Sequence, residues 1–208
     1  MSRTLEMLQR APVLPVLVIE RVEDAVPLAR ALVEGGLPVL EVTLRSEAAL
    51  ESIARIKAEV DGVICGAGTV VQGSTVEDLE EVGADFAVSP GYTTSLGEAL
   101  RLSRIPLLPG IATASELMVG LELGYSVFKF FPAEAMGGVT TLKGLSGPFP
   151  QARFCPTGGI SPDNLKSYLD LPSVVTAGGS WVAPKAAIAG GEWDRIRELA
   201  AQAVALTQ

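Results

Sequence analysis

The sequence contains no histidine. This absence removes the commonest general base, the usual zinc ligand and every catalytic triad built on an imidazole. Any proton transfer in this protein must therefore use a carboxylate, a lysine, a tyrosine or water.

Positive charge, cysteine and long apolar runs are also scarce. The formal net charge of -8 argues against non-specific nucleic-acid binding, although phosphate could still bind locally. Cys65 and Cys155 lie in apolar runs without metal-ligand spacing and without a secretory segment before them, so we expect buried thiols in a cytoplasmic protein. No apolar run approaches the roughly 20 residues that span a bilayer, so no membrane partner is expected.

The overall composition favours a large hydrophobic core. Of the 208 residues, 48% are hydrophobic and 19% are charged. Glycine and proline are scattered and mark no linker, so residues 1–208 are predicted to form a single domain.

Short apolar runs recur along the chain at intervals of roughly 20 to 25 residues. Eight such runs occupy residues 13–19, 39–44, 63–70, 86–90, 106–111, 127–131, 153–158 and 174–181. Stretches with helical periodicity separate them, and a short helix over Arg3 to Leu8 precedes them. This alternation predicts parallel strands with crossover helices, and eight regular units favour a (β/α)₈ barrel with an N-terminal helix over an open doubly wound sheet.

Several helix starts carry capping signals. These are Ser74 with Glu77, Thr113 with Glu116, and Ser161 before Pro162. In a (β/α)₈ barrel the active site lies at the C-terminal ends of the strands, in the loops that lead from each strand to the next helix.

Lys129 lies in the middle of an apolar strand, between Phe128 and the pair Phe130 and Phe131. An ammonium group is costly in such surroundings, which favour the neutral, nucleophilic amine that forms Schiff bases with ketones. The alternative is a structural lysine whose head reaches water at the strand end.

The second run places three polar residues on one face of its strand. Side chains alternate across a strand, so Glu41, Thr43 and Arg45 point into the barrel while the intervening residues pack on helices. Glu41 could then supply the missing acid and base, and Arg45 could hold a substrate carboxylate with its forked cation. The alternative is a structural ion pair between Glu41 and Arg45.

Glycine-rich turns follow the last two runs. Residues 157–159 read Thr-Gly-Gly and residues 178–180 read Gly-Gly-Ser, at the strand positions where barrels commonly bind phosphate. Backbone N–H groups of such turns can approach an oxyanion, so we predict a phosphate site.

Two longer strings resemble the signatures of the 2-keto-3-deoxy-6-phosphogluconate (KDPG) and 4-hydroxy-2-oxoglutarate (KHG) aldolase family. They are Gly-Leu-Pro-Val-Leu-Glu-Val-Thr-Leu-Arg at 36–45 and Gly-Tyr-Ser-Val-Phe-Lys-Phe-Phe-Pro-Ala-Glu at 124–134. Segments 66–69, 89–91, 154–162 and 178–181 resemble the family as well, in the same order. The resemblance implies a class I aldolase on a (β/α)₈ barrel, working as a homotrimer without metal or cofactor.

The resemblance also implies a role for each matching residue. Lys129 matches the Schiff-base lysine, and Glu41 matches the general acid and base. The remaining matches are Arg45 and Thr69 for the substrate carboxylate, Pro90, Phe131 and Thr157 beside the reacting carbons, and Gly158, Gly159, Gly179 and Ser180 for the phosphate. The Glu20-Arg21 segment departs from the basic or mixed residues of many relatives.

The implied activity is cleavage of 2-dehydro-3-deoxy-6-phosphogluconate to pyruvate and glyceraldehyde 3-phosphate, and of 4-hydroxy-2-oxoglutarate to pyruvate and glyoxylate. Three alternatives stay open. They are the same chemistry on the phosphogalactonate epimer, a phosphate-binding barrel isomerase that uses Glu41 without a covalent step, and a non-catalytic sensor of pyruvate or a sugar phosphate.

Overall fold

A computed structural model describes residues 3–206, which contain nine short strands and ten α-helices. The strands are β1 (Val13–Leu17), β2 (Val39–Thr43), β3 (Ile64–Gly68), β4 (Ala87–Val88), β5 (Leu107–Leu108), β6 (Gly110–Ile111), β7 (Val127–Phe130), β8 (Arg153–Pro156) and β9 (Ala177–Gly179). The helices are α1 (Arg3–Leu8), α2 (Ala25–Glu34), α3 (Ala49–Glu59), α4 (Val76–Glu81), α5 (Thr94–Arg101), α6 (Ala114–Glu122), α7 (Gly138–Ser146), α8 (Pro162–Leu169), α9 (Lys185–Ala189) and α10 (Trp193–Ala205).

Every predicted apolar run contains a strand, and the fifth contains both β5 and β6. Pro109 separates these two strands, because proline has no N–H to donate to a ladder. The order β5-β4-β3-β2-β1-β9 forms one parallel sheet, and β6-β7-β8 forms a second. Isolated parallel bridges, Phe154 with Val174 and Thr157 with Gly178, link the second sheet to the β9 side of the first. The result is an α/β fold with a curled parallel sheet.

Strand β7 shows how the alternation of side chains separates the core from the site. Phe128 faces helix α6, where a Cβ atom on Gly120 would lie 2.4 Å from the Phe128 ring. Phe128 and Phe130 are fully buried, which leaves Lys129 on the opposite, inner face. Lys129 is level with Gly110 on one neighbouring strand and with Cys155 on the other.

The capping predictions are right at two helices and wrong at the third. Thr113 and Glu116 form a full capping box at α6, and Ser161 precedes Pro162 at the start of α8. The Ser74 prediction is wrong, because α4 begins at Val76 after a 3₁₀ turn over Gly73–Thr75. The carbonyl of Gly73 accepts a hydrogen bond from the N–H of Val76 in this turn. A backbone hydrogen bond therefore takes the place of the expected hydrogen bond to the Ser74 side chain.

Within residues 3–206, no helix has the length and apolar character needed to cross a membrane.

Candidate active site

The amine of Lys129 lies beside a carboxylate inside the sheet. Its Nζ atom is 3.1 Å from Oε1 of Glu41, and the two side chains are 6% and 1% exposed. The ring of Phe131 covers the amine, with its centroid 5.3 Å from Nζ. The sequence indicated aromatic surroundings, and the structure adds a proton acceptor at hydrogen-bond distance. The strand-end alternative, in which the lysine head reaches water, is wrong for this buried side chain.

Glu41 keeps one oxygen free for chemistry. Its Oε2 atom is buried and has no hydrogen-bond partner among the described residues. Such an atom is costly to leave unpaired, which makes it a place for a water molecule or a substrate hydroxyl. Gly68 makes room for the carboxylate, since a Cβ atom there would lie only 2.3 Å from Oε1.

Arg45 does not pair with Glu41, so the alternative of a structural ion pair between them is wrong. Its Nε donates to Thr43 Oγ1 over 3.1 Å, and that hydroxyl donates to the carbonyl of Leu17 over 2.7 Å. No carboxylate among residues 3–206 forms an ion pair with Arg45, and its side chain is exposed. The two terminal nitrogens of the guanidinium therefore stay available for an anion.

Thr43 is a site residue whose task the sequence did not indicate. The alternation placed it on the inner face, but only the contacts show that a single buried hydroxyl connects β1 to the guanidinium of Arg45. This bridge fixes which edge of the guanidinium faces the site.

A cavity of about 160 Å³ brings most of the remaining predicted residues together. Its lining includes Arg45, Phe131, Thr157, Gly158, Gly159, Gly179 and Ser180, together with Val16, Ile160 and Gly178. Lys129 and Glu41 do not line this cavity, but Phe131, whose ring covers the amine, does. Larger cavities lie elsewhere, including one of about 410 Å³ beside α10, but they contain none of these predicted residues.

The loop between β8 and α8 presents unpaired donors to this cavity. Within the described residues, the N–H groups of Gly159 and Ile160 have no hydrogen-bond acceptor, and neither does the hydroxyl of Ser180. Gly158 and Gly159 have φ angles of 101° and 79°, in the left-handed region that favours glycine. Successive free N–H groups before a helix N-terminus form an anion-binding concavity.

Thr69 and Pro90 follow β3 and β4 and lie outside the lining of that cavity. Thr69 has a φ of 61°, which is unusual for a β-branched residue and marks a constrained backbone next to the site. Ser89 belongs to the segment 89–91 that resembles the family, but the sequence indicated no role for it. Its hydroxyl accepts the N–H of Gly110 over 3.1 Å and holds the loops after β4 and β5 together.

Arg21 is engaged elsewhere. Two hydrogen bonds of 2.9 Å hold its guanidinium on Asp24, and both residues line a separate cavity of about 350 Å³.

The two thiols have environments unlike those of reactive cysteines. The pKa of Cys155 is raised to about 12, mainly by burial, while Lys129 lowers it and Glu41 raises it to smaller extents. Burial also raises the pKa of Cys65 to about 12. Within residues 3–206, no group of three or more cysteine, aspartate or glutamate side chains lies close enough together to hold a metal ion.

Comparison with known proteins identifies the family. The KDPG and KHG aldolase family model matches residues 5–199. A 2-dehydro-3-deoxy-phosphogluconate aldolase of Pseudoalteromonas atlantica is 56% identical over 200 residues, which are 96% of this chain and 93% of that protein. The KHG/KDPG aldolase of Escherichia coli K12 is 53% identical over 198 residues, 95% of this chain and 93% of that protein.

A solved structure supports the same family assignment. The KDPG aldolase of Legionella pneumophila, crystallised with pyruvate captured as a covalent carbinolamine intermediate, has a TM-score of 0.94 at 48% identity and covers 98% of both chains. The chain therefore belongs to the KDPG and KHG aldolase family.

Proposed function

We propose that this protein is a class I aldolase that cleaves 2-dehydro-3-deoxy-6-phosphogluconate to pyruvate and glyceraldehyde 3-phosphate, and 4-hydroxy-2-oxoglutarate to pyruvate and glyoxylate. The observation that carries this proposal is the buried contact of 3.1 Å between Lys129 Nζ and Glu41 Oε1. It supplies a nucleophilic amine and a proton acceptor on the inner face of an aldolase-family fold.

Imine formation uses both groups. The carboxylate of Glu41 takes a proton from the ammonium of Lys129, and the neutral amine adds to the C2 carbonyl of the substrate to give a carbinolamine. The protonated Glu41 then gives its proton to the carbinolamine hydroxyl, which leaves as water, and a protonated imine remains. The carbinolamine trapped in the Legionella relative supports this sequence of steps.

Cleavage reuses the same carboxylate. Glu41, again ionised, removes the proton of the C4 hydroxyl directly or through one water, for which the unpartnered Oε2 offers a place. The C3–C4 bond breaks, its electron pair moves into the imine, and the aldehyde product leaves. Glu41 returns its proton to C3 of the enamine, and water hydrolyses the imine to free pyruvate and the lysine amine.

The substrate carboxylate is assigned to Arg45 and Thr69. The free nitrogens of Arg45 can bind a carboxylate bidentately, and the constrained backbone at Thr69 lies at the same ends of the strands. Holding the keto acid in this way presents its carbonyl to the amine and makes the attack effectively intramolecular. Pro90, Phe131 and Thr157 are assigned to the walls beside the reacting carbons.

The distal phosphate is assigned to the loops after β8 and β9. The free N–H groups of Gly159 and Ile160 and the free hydroxyl of Ser180 support this assignment, and Gly158 and Gly179 line the same cavity. Phosphate bound there is far from the reacting bond and contributes orientation.

We also infer that residues 1–208 form one domain whose strands close into a complete (β/α)₈ barrel. Parallel bridges on the β9 side and the chain continuity through Pro109 support closure. The homotrimer and the cytoplasmic location stay predictions, and light scattering on the purified protein tests the first.

Borohydride trapping tests the covalent mechanism. Pyruvate with borohydride should inactivate the enzyme and add a reduced three-carbon adduct at Lys129, which peptide mass spectrometry locates. Glu41→Gln should still form some adduct but lose about 100-fold or more in cleavage rate, the usual scale of general acid–base catalysis. Turnover without any adduct would favour the isomerase-type, non-covalent alternative, and near-normal turnover of Glu41→Gln would remove Glu41 from its role.

Substrate comparison tests the specificity. A coupled assay of pyruvate release on the gluconate epimer, the galactonate epimer and 4-hydroxy-2-oxoglutarate should give the highest kcat/KM for the first. A preference for the galactonate epimer would assign the chain to that activity, and ligand binding without pyruvate release would indicate a sensor.

A further inference from the structure

The turn after β7 carries a carboxylate that the mechanism does not use. Glu134 follows Pro132 and Ala133 in the string that resembles the family signature. The buried Tyr168 of α8 donates its hydroxyl hydrogen to Glu134 Oε1. Burial, followed by this carboxylate, raises the pKa of Tyr168, so the phenol remains a donor.

Glu134 lies directly against the glycine loop that is assigned to the phosphate. A Cβ atom on Gly159 would be 2.6 Å from Cγ of Glu134, so the two residues are in close contact. The backbone N–H of Glu134 also donates to the carbonyl of Gly158 over 3.1 Å, and the N–H of Ala133 donates to the carbonyl of Thr157 over 2.8 Å. The turn after β7 and the loop after β8 therefore hold each other in place.

The charge of Glu134 gives this contact a second consequence. A carboxylate beside the free N–H group of Gly159 has the same chemistry as the phosphate oxygens that this group would bind. The hydroxyl of Tyr168 holds the carboxylate toward α8 and so keeps it from occupying the anion site.

We propose that Glu134 and Tyr168 are a positioning pair that sets the glycine loop and keeps the anion site open, and that they thereby determine the preference for phosphorylated over unphosphorylated substrates. This inference depends on the proposed function, because it takes the glycine loop as the phosphate site. Neither residue touches the reacting atoms in this account.

Tyr168→Phe is the direct test, because it removes the hydroxyl and keeps the ring. We expect KM for 2-dehydro-3-deoxy-6-phosphogluconate to rise about tenfold, the scale of one lost polar interaction, while KM for 4-hydroxy-2-oxoglutarate changes less than about twofold. The rate of borohydride trapping with pyruvate should not change, since Lys129 is not affected.

Two further variants separate position from charge. Glu134→Gln keeps an acceptor for Tyr168 but removes the charge, so its KM values should stay within about threefold of wild type. The double variant Tyr168→Phe/Glu134→Gln should recover most of the lost affinity, because a neutral amide competes poorly for an anion site. Tyr125→Phe is the matched control, since it removes the hydroxyl of a second tyrosine, which is partly buried and donates to the Gly97 carbonyl over 2.8 Å before the start of β7.

The results can overturn the inference in separate ways. Equal changes of KM for both substrates in Tyr168→Phe, or no change for either, would show that the pair has no part in phosphate preference. No recovery in the double variant would refute the competition by the carboxylate. A wild-type enzyme that forms no Lys129 adduct and cleaves neither substrate would instead overturn the proposed function.

Discussion

Replacing Lys129 by methionine tests whether the buried pair is ionised. Methionine keeps much of the length and apolar stem of lysine but removes the cation, and Glu41, 1% exposed, would lose its counter-ion in a buried site. Breaking a buried pair in this way typically costs about 3 to 5 kcal/mol, because an uncompensated charge remains.

Urea unfolding at pH 7 measures this free energy. Lys129→Met should be less stable than wild type by about 3 to 5 kcal/mol. The double variant Lys129→Met/Glu41→Leu is the control, and it should lie within about 1 kcal/mol of wild type, since apolar replacement of both partners is often neutral. A loss below about 1 kcal/mol in Lys129→Met would refute a charged pair in this buried site.

Three further perturbations test the surroundings of the pair. Thr43→Val should raise KM for the keto acids about tenfold, because it removes the hydroxyl that orients Arg45, whereas Thr43→Ser should restore it; equal KM values for both variants would contradict this role. Gly68→Ala should lower kcat about 100-fold, since its Cβ would lie 2.3 Å from the paired carboxylate oxygen, and unchanged kcat would show that the carboxylate can move without loss. Cys65 and Cys155, whose pKa values burial raises to about 12, should resist alkylation at pH 8 until urea unfolds the chain, and rapid labelling of the native protein would show that they are accessible.

Much of this arrangement could be predicted from local sequence. The apolar runs predict the strands, because strands buried on both faces read as nearly continuous hydrophobic stretches. The two-residue alternation places Lys129 and Glu41 on inner faces, and the absence of histidine requires a carboxylate for proton transfer.

The partners of these residues could not be predicted in the same way. Lys129 and Glu41 are 88 residues apart in sequence and meet only through the curvature of the sheet and the register of its strands. The alternative of an ion pair between Arg45 and Glu41 arose because both residues lie on the same face of one strand. Four residues along a strand span about 13 Å, so the side chains on β7 are nearer to Glu41 than those farther along β2.

The glycines at the strand ends show a further limit of sequence reading. A glycine-rich turn predicts anion binding, and Gly159 supplies a free N–H for that purpose. Yet Gly68 also packs against the side chain of Glu41, and Gly159 packs against the side chain of Glu134. Both contacts are so close that a Cβ atom on the glycine would clash with the glutamate. These glycines therefore position the protein's own carboxylates as well as opening space for the substrate. Loss of activity on replacing one of them cannot be assigned to phosphate binding alone, and only a comparison of phosphorylated with unphosphorylated substrates separates the two effects.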